Sequence, residues 1–293
     1  MSYNLGLISL GCPKNLVDSE IMLGAFKEEG FVPVQDLSRA DAIIVNTCAF
    51  VGDAKEEAIV TILEAARHKE EGRLKALVVT GCLAERYRDQ IISEIPEVDL
   101  VFGTGSIPQV AERTRAFLEG ERLESHVWCD IPDTVDYLDN NRVLSDGKPY
   151  AYLKIAEGCS NNCTYCIIPR LRGPFRSRPV ESLLKEAEFL AQQGKKEIIL
   201  IAQDVTRYGT DLYGEKKLVE LIRSISRVDG IQWIRLLYCY PELIDDALIE
   251  EMKSNEKLVH YMDIPIQHIS DRVLKAMGRR GSGEYIESLV KRL

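Results

Sequence analysis

Apolar runs of strand length alternate with amphipathic stretches of helix length over residues 1–125. Four strands are predicted from the apolar runs, at residues 5–10, 42–47, 77–80 and 100–102. Capping signals predict helix starts at Asn15 and Asp53, each of which has an acidic residue three positions later. Behind Asp53, five residues at helical spacing predict a buried face: Ala58, Ile59, Ile62, Leu63 and Ala66. Strands and helices that alternate in this way form a parallel, doubly wound sheet.

The same alternation resumes at residue 150. Strands are predicted at residues 151–156, 197–202, 231–238 and 259–264, and helices at residues 181–193, 218–225, 247–252 and from about 270. Four strand–helix units in this order predict an incomplete (β/α) barrel, whose functional residues lie on loops that follow strands. Residues 126–149 are polar and acidic and predict a linker. The predicted fold class is therefore α/β, with domains over residues 1–125 and 150–293.

Composition narrows the classes of function. The chain has 293 residues, of which 45% are hydrophobic and 28% charged, as in ordinary globular proteins. Its net charge of −9 argues against a protein that holds nucleic acid by bulk electrostatics. We find no apolar run long enough for a membrane span and no basic segment of a secretory signal before Gly11. We therefore expect a cytoplasmic protein without membrane association, whose eight cysteines stay reduced and available to metal.

Three cysteines, Cys159, Cys163 and Cys166, have the spacing C-x3-C-x2-C. A cubic iron–sulfur cluster has four irons and is usually held by four thiolates. Three thiolates leave one iron open to a small molecule, so this spacing predicts a reactive [4Fe-4S] cluster. Zinc sites favour paired cysteines, and no second pair follows here. A zinc site or three structural cysteines remain the alternatives.

A second set of cysteines follows three of the predicted strands of the first domain. Cys12 comes after the first strand, Cys48 after the strand at 42–47, and Cys82 after the strand at 77–80. The carboxyl ends of parallel strands lie on one edge of a sheet, where ligands bind. We therefore expect these cysteines to converge and to hold a second cluster. The alternative is that they are small core or loop residues.

The cysteine motif, with Tyr165 just before its last cysteine, resembles the signature of radical S-adenosylmethionine enzymes. The resemblance implies a partial (β/α) barrel in which the open iron binds S-adenosylmethionine. An electron from the cluster then cleaves the cofactor to a 5′-deoxyadenosyl radical. We predict that Tyr165 packs on the adenine, the alternative being a loop aromatic without a ligand, and that Gln203, at a strand end, hydrogen-bonds the cofactor. Four arginines near the motif predict a basic strip that contacts an anionic or RNA-rich partner or the cofactor carboxylate: Arg170, Arg172, Arg176 and Arg178. The alternative is a solvated loop whose arginines pair with nearby Asp and Glu.

The segments around Cys12, Cys48 and Cys82 resemble the N-terminal domain of methylthiotransferases, which replace C–H by C–S–CH3. This resemblance implies two [4Fe-4S] clusters, with Cys12, Cys48 and Cys82 on the auxiliary one, and two molecules of S-adenosylmethionine. Residues 277–280 are similar to a family segment near the cofactor. The family also implies six barrel units and a C-terminal TRAM domain, so we expect a truncated chain.

Residues 11–20 resemble the RimO-type branch of this family. That branch modifies the β-carbon of an aspartate in small-subunit ribosomal protein twelve, so the implied partners are that protein or the small subunit. An electron donor such as a flavodoxin or ferredoxin is implied as well. Two alternatives stay open: a MiaB-type enzyme that acts on an adenosine in tRNA, and a non-catalytic iron–sulfur electron carrier or scaffold.

Overall fold

The computed structural model describes residues 2–130, 134–139 and 141–293. The chain divides into two compact units, Met1–Ser145 and Asp146–Leu293, each with its own parallel sheet. Residues 131–133 and 140 of the predicted linker lie outside the described residues. Among the described residues, none of the helices has both the length and the apolar character that crossing a bilayer requires.

The first unit contains a six-stranded parallel sheet. Its strands are β1 (Tyr3–Ser9), β2 (Phe31–Pro33), β3 (Ala42–Thr47), β4 (Ala76–Gly81), β5 (Leu100–Phe102) and β6 (Val127–Trp128). Their order in the sheet is β2-β1-β3-β4-β5-β6, and every neighbouring pair is parallel. All residues of β3 and β4 are buried, as expected for the central strands of a sheet covered on both faces. The order confirms the predicted doubly wound sheet and makes β1, β3 and β4 neighbours.

Within the described residues of this unit, five α-helices connect the strands. They are α1 (Pro13–Glu28), α2 (Gly52–Ala66), α3 (His68–Glu71), α4 (Cys82–Glu94) and α5 (Val110–Leu118). The predicted N-caps at Asn15 and Asp53 are wrong, because α1 and α2 begin earlier, with Cys12 and Val51 at the cap positions. Pro13 sets the start of α1, since proline suits the first helical turn. Asp53 lies in the first turn of α2, where its negative charge interacts favourably with the positive end of the helix dipole.

The buried face of α2 is narrower than the sequence pattern predicts. Ala58, Ile62 and Ala66 are buried, but Ile59 is 43% exposed and Leu63 is 47% exposed. Both exposed residues line a groove between α2 and α4. Their assignment to the buried face is therefore wrong, because only part of the apolar stripe reaches the sheet.

The second unit contains a four-stranded parallel sheet and a two-stranded antiparallel one. Its strands are β7 (Tyr150–Lys154), β8 (Ala156–Glu157), β9 (Arg176–Ser177), β10 (Glu197–Ile201), β11 (Trp233–Leu236) and β12 (Leu258–Met262). Its helices are α6 (Ile168–Arg172), α7 (Val180–Gln192), α8 (Leu218–Ser226), α9 (Asp246–Ser254), α10 (Asp271–Ala276) and α11 (Gly283–Arg292). The parallel strands stand in chain order, β7-β10-β11-β12, and β8 pairs with β9. Four sequential parallel strands with helical connections match the barrel units predicted.

Part of the segment predicted as a linker packs on the first unit. Val127–Trp128 forms the edge strand β6. The guanidinium of Arg142 pairs with the Glu20 carboxylate of α1 at 2.5 Å, and both side chains are buried. The backbone amide of Ser145 donates to the other oxygen of Glu20 at 2.8 Å. This buried carboxylate therefore fixes residues 142–145 against α1.

Candidate metal centres

The structure brings the three cysteines of the first unit to the ends of neighbouring strands. Cys12 caps α1 just after β1, Cys48 follows β3, and Cys82 opens α4 directly after β4. Cys48 and Cys82 are buried, and Cys12 is partly exposed. Because β1, β3 and β4 are adjacent, all three thiols lie along one stretch of the sheet edge.

Gly11 shows how closely two of these cysteine loops approach. Its φ of +87° is in the left-handed region that glycine tolerates. A Cβ placed there would lie 2.6 Å from Cys48 Cβ and 3.2 Å from Cys48 Sγ. The residue before Cys12 is therefore in contact with Cys48, so the first and second cysteine loops meet.

Buried amide and hydroxyl side chains tie the three strand ends together. Asn15 Nδ2 donates to the carbonyl of Leu10 at 3.1 Å and to that of Thr47 at 2.9 Å. Asn46 Nδ2 donates to the carbonyl of Asn15 at 2.9 Å, and Thr47 Oγ1 donates to the carbonyl of Thr80 at 2.5 Å. Satisfied buried networks of this kind rigidify a unique geometry. Asn15 therefore positions the cysteine loops, a role that its reading as a helix cap missed.

In the second unit, Cys159, Cys163 and Cys166 lie on one loop between β8 and α6. The backbone amide of Cys159 donates to the carbonyl of Gly173 at 3.0 Å, and that of Cys166 donates to the carbonyl of Cys163 at 3.0 Å. Burial raises the pKa of the Cys159 and Cys166 thiols, and the nearby Cys163 raises both further. A bound metal reverses this effect, since it stabilises thiolates.

Two other segments of the second unit anchor this loop. Asn161 Nδ2 donates to Asp204 Oδ2 at 2.9 Å, and Arg207 Nη2 donates to Asn161 Oδ1 at 2.5 Å. On the other side, the backbone amide of Thr164 donates to the carbonyl of Met277 at 3.0 Å. The loop is therefore held by residues that follow β10 and α10, and the segment at 277–280 lies against it.

A buried charge cluster lies directly before the cysteine loop. Glu157 Oε2 accepts from Arg172 Nη1 at 2.8 Å and also pairs with the Lys154 ammonium. Its Oε1 accepts from the backbone amide of Gly158 at 3.0 Å and from Gln203 Nε2 at 2.6 Å. Burial alone would raise the pKa of the Glu157 carboxyl, but Arg172 and Lys154 outweigh it and hold that pKa below its ordinary value. Glu157 therefore stays ionised and joins the loop to β7 and α6.

The two predicted cofactor residues lie beside this loop. Gln203 follows β10, and its Oε1 is buried without a hydrogen-bond partner among the described residues. That oxygen is available to a donor on a ligand. Tyr165 is 49% exposed, and burial of its remaining surface raises the pKa of its phenol, with a further contribution from Cys163. Contact of either side chain with a cofactor stays a prediction.

The predicted basic surface strip is wrong. Arg170 is exposed, but Arg172 is only 3% exposed and Arg178 only 1%. Arg178 Nη1 pairs with Glu186 Oε2 at 2.5 Å, and Arg176 Nη2 donates to the carbonyl of Arg172 at 2.7 Å. Arg172 and Arg178 turn inward because the carboxylates of Glu157 and Glu186, on other elements, pair with them. Pairing with carboxylates is what the alternative predicted, although Arg172 and Arg178 are buried and not solvated.

A cluster of four irons requires a wider spacing of its protein ligands than a single metal ion does. Among residues 2–130, 134–139 and 141–293, no three His, Cys, Asp or Glu side chains are grouped tightly enough to hold one metal ion. A cubane places each thiolate on a separate iron atom, so its ligands stand farther apart than those of one ion. Three thiols on one anchored loop, and three at adjacent strand ends, suit that wider arrangement.

We expect Gly11→Ala to lower the iron bound by the first unit. A non-glycine residue at this φ costs about 1–2 kcal/mol, and the added methyl would also push Cys48 aside. Gly120→Ala is the matched control, since Gly120 has a φ of +78° and open space around it. After anaerobic reconstitution, iron and sulfide per chain should fall toward half for Gly11→Ala and stay unchanged for Gly120→Ala. Full iron in both variants would contradict the close approach of the two loops.

Two family models match the chain, one in each unit. The Uncharacterized protein family UPF0004 matches residues 4–103, and the Radical SAM superfamily matches residues 153–293.

Curated proteins are similar over nearly the whole chain. A protein of Acetivibrio thermocellus named ribosomal protein uS12 methylthiotransferase RimO is 54% identical over 100% of this chain and 65% of its own length. Proteins of the same name from Lachnoclostridium phytofermentans and Pelotomaculum thermopropionicum are 55% and 50% identical, over 64% and 65% of their lengths. They cover 98% and 100% of this chain. The chain spans just under two thirds of the length of these relatives.

Solved structures share the fold at low identity. The radical S-adenosylmethionine methyltransferase TsrM from Kitasatospora setae, solved with tryptophan and a cofactor analogue, has a TM-score of 0.65 and 15% identity. The match covers 99% of this chain and 65% of the TsrM chain. The cobalamin-dependent enzyme OxsB has a TM-score of 0.64 and 13% identity, over 99% of this chain and 47% of its own. The likeness shows that the chain shares its fold with these two proteins.

Proposed function

Since the chain belongs to the RimO-type radical S-adenosylmethionine methylthiotransferases, we propose that it methylthiolates the β-carbon of an aspartate in ribosomal protein uS12. The observation that carries this proposal is the position of Cys12, Cys48 and Cys82 at the ends of three adjacent strands. A second set of thiols, apart from the radical motif, is what sulfur insertion requires.

Cys159, Cys163 and Cys166 would hold the cluster that binds S-adenosylmethionine. When bound, the cluster supplies the electron that cleaves S-adenosylmethionine, and the cleaved cofactor supplies the radical that removes the substrate hydrogen. Asn161 and Thr164 keep the loop in place through their hydrogen bonds to Asp204 and Met277. The unpartnered Oε1 of Gln203 would accept a hydrogen bond from the cofactor, and the exposed ring of Tyr165 would cover its adenine.

Cys12, Cys48 and Cys82 would hold the auxiliary [4Fe-4S] cluster, which carries the sulfur to be transferred. The network of Asn15 and Asn46 keeps their loops together, and Gly11 allows the first two loops to meet. A second molecule of S-adenosylmethionine would provide the methyl group. No disulfide joins any of the eight cysteines, all of which lie among the described residues, and this fits a reducing cytoplasm with a flavodoxin or ferredoxin as electron donor.

Mass spectrometry of ribosomal proteins from cells that lack the gene tests this proposal. We expect uS12 to lose the mass that is added when one hydrogen is replaced by a methylthio group, and to regain it when the intact gene is supplied. A gene with Cys12, Cys48 and Cys82 changed to alanine should not restore it. The same cells are assayed for methylthiolated adenosine in tRNA. If the mass of uS12 is unchanged and the methylthiolated adenosine is lost, the substrate is tRNA and the proposal of a protein substrate is wrong.

A further inference from the structure

The side chain of Tyr240 lies beside the cysteine loop of the second unit. Tyr240 follows β11 and is only 8% exposed. Its Oη is 3.8 Å from Cys163 Sγ, within hydrogen-bond range for sulfur. The phenol is therefore next to one of the three sulfurs of the radical motif. None of the functions proposed above uses it.

Hydrogen bonds fix Tyr240 relative to the loop. Its backbone amide donates to Thr206 Oγ1 at 3.2 Å, and Thr206 Oγ1 donates to Asp204 Oδ1 at 2.5 Å. The other oxygen of Asp204 accepts from Asn161 of the cysteine loop at 2.9 Å. Tyr240 and the loop therefore share one anchor, so the distance between the phenol and Cys163 is set by the fold.

A buried arginine covers the ring of Tyr240. The Arg279 guanidinium is 3.8 Å from the ring centroid, in a cation–π contact, and Arg279 is 7% exposed. Its Nη2 donates to the carbonyl of Pro265 at 2.9 Å, which holds it in place. A cation over the ring polarises the phenol, and this strengthens the hydroxyl as a hydrogen-bond donor.

We propose that Tyr240 donates a hydrogen bond to the Cys163 thiolate and so raises the reduction potential of the cluster that this loop holds. Hydrogen bonds to cluster sulfurs are among the factors that set such potentials, since they stabilise the more negative, reduced state. Arg279 is a positioning residue that orients and polarises the phenol. The inference rests on the proposed function, because that function supplies the cluster. It goes further by naming the side chain that makes the cluster easier to reduce.

The test is a potentiometric titration of the cluster, followed by electron paramagnetic resonance. Cys12, Cys48 and Cys82 are changed to alanine in every arm, so that only one cluster contributes. A second measurement uses the chain with both clusters. There, the part of the paramagnetic resonance signal that changes when S-adenosylmethionine is added belongs to the cluster of the second unit, and its midpoint potential is determined separately. Tyr240→Phe should shift the midpoint potential to a more negative value. Replacing Tyr240 by 3-fluorotyrosine, a more acidic phenol, should shift it to a less negative value.

Tyr285→Phe is the matched control. Tyr285 donates its hydroxyl to the carbonyl of Pro241 at 3.2 Å, next to Tyr240, so this variant loses a neighbouring phenol hydroxyl that does not bond the cysteine. The midpoint potential of the cluster in Tyr285→Phe should equal that in the parent chain. Retained iron with unshifted potentials in both Tyr240 variants would overturn the inference and leave the proposed function intact. Absence of iron on the loop of the parent chain would overturn both.

Discussion

Changing Cys159, Cys163 and Cys166 together to alanine is expected to abolish reductive cleavage of S-adenosylmethionine and to remove about half of the bound iron. Two [4Fe-4S] clusters give about eight irons per chain, and each set of three thiolates would hold about four of them. The measurements are iron and sulfide per chain after anaerobic reconstitution, and 5′-deoxyadenosine formed with a chemical reductant. Cleavage should fall to the rate seen without protein, because no other thiol on that loop can replace the ligands.

The reciprocal variant separates the two sites. With Cys12, Cys48 and Cys82 changed to alanine, the chain should lose the other half of its iron and still cleave S-adenosylmethionine. Cys239→Ala is the control for loss of a cysteine, since Cys239 is fully buried in the second unit and belongs to neither set. Its iron content should not change. Loss of all the iron, or of none, in the first variant would contradict two independent sites.

The strands of the fold were predictable wherever a buried strand consists of consecutive apolar residues. The predicted strands at 42–47 and 100–102 coincide with β3 and β5, because central parallel strands are apolar on both faces. Helix starts were less predictable. Cys12 and Val51 occupy the cap positions of α1 and α2 without a side-chain cap hydrogen bond, so no polar capping residue marks them.

The cysteine positions were predictable because the ends of parallel strands meet at one edge, so order along the chain implies proximity. The groups that support them were not. Tyr240 is 77 residues from Cys163, and Gln203 is 46 residues from Glu157. Such contacts depend on which strands become neighbours and leave no local pattern. Arg172 seemed a surface charge for the same reason, since its partner Glu157 belongs to a different element.

Glu157→Gln is expected to lower the free energy of unfolding of the second unit by about 3–5 kcal/mol, the usual cost of removing one partner from a buried ion pair. The change keeps the size of the side chain but leaves the buried cations of Lys154 and Arg172 without their shared carboxylate. Urea denaturation of the iron-free chain measures the effect. Fluorescence of Trp233 reports on this unit when Trp128 is changed to phenylalanine in both arms.

The pH dependence of the unfolding free energy tests whether the charge of the Glu157 carboxylate causes the loss of stability. The folded state holds the pKa of Glu157 below its ordinary value of 4.5, so its charge contributes stability that is fully present above pH 4.5 and is lost as the pH falls. Glutamine does not titrate. The difference in unfolding free energy between the parent chain and Glu157→Gln should therefore be largest near neutral pH and should shrink below pH 4.5.

Glu220→Gln provides the matched control, since it also removes one carboxylate from an ion pair. Glu220 pairs with Lys217 at 2.7 Å, but its side chain is 58% exposed. Exposed pairs contribute about 0–1 kcal/mol, because water and salt screen them. A loss for Glu157→Gln no larger than for Glu220→Gln, or a difference independent of pH, would contradict the argument. A larger, pH-dependent loss would show that the buried carboxylate before the cysteine loop holds β7 and α6 together through its charge.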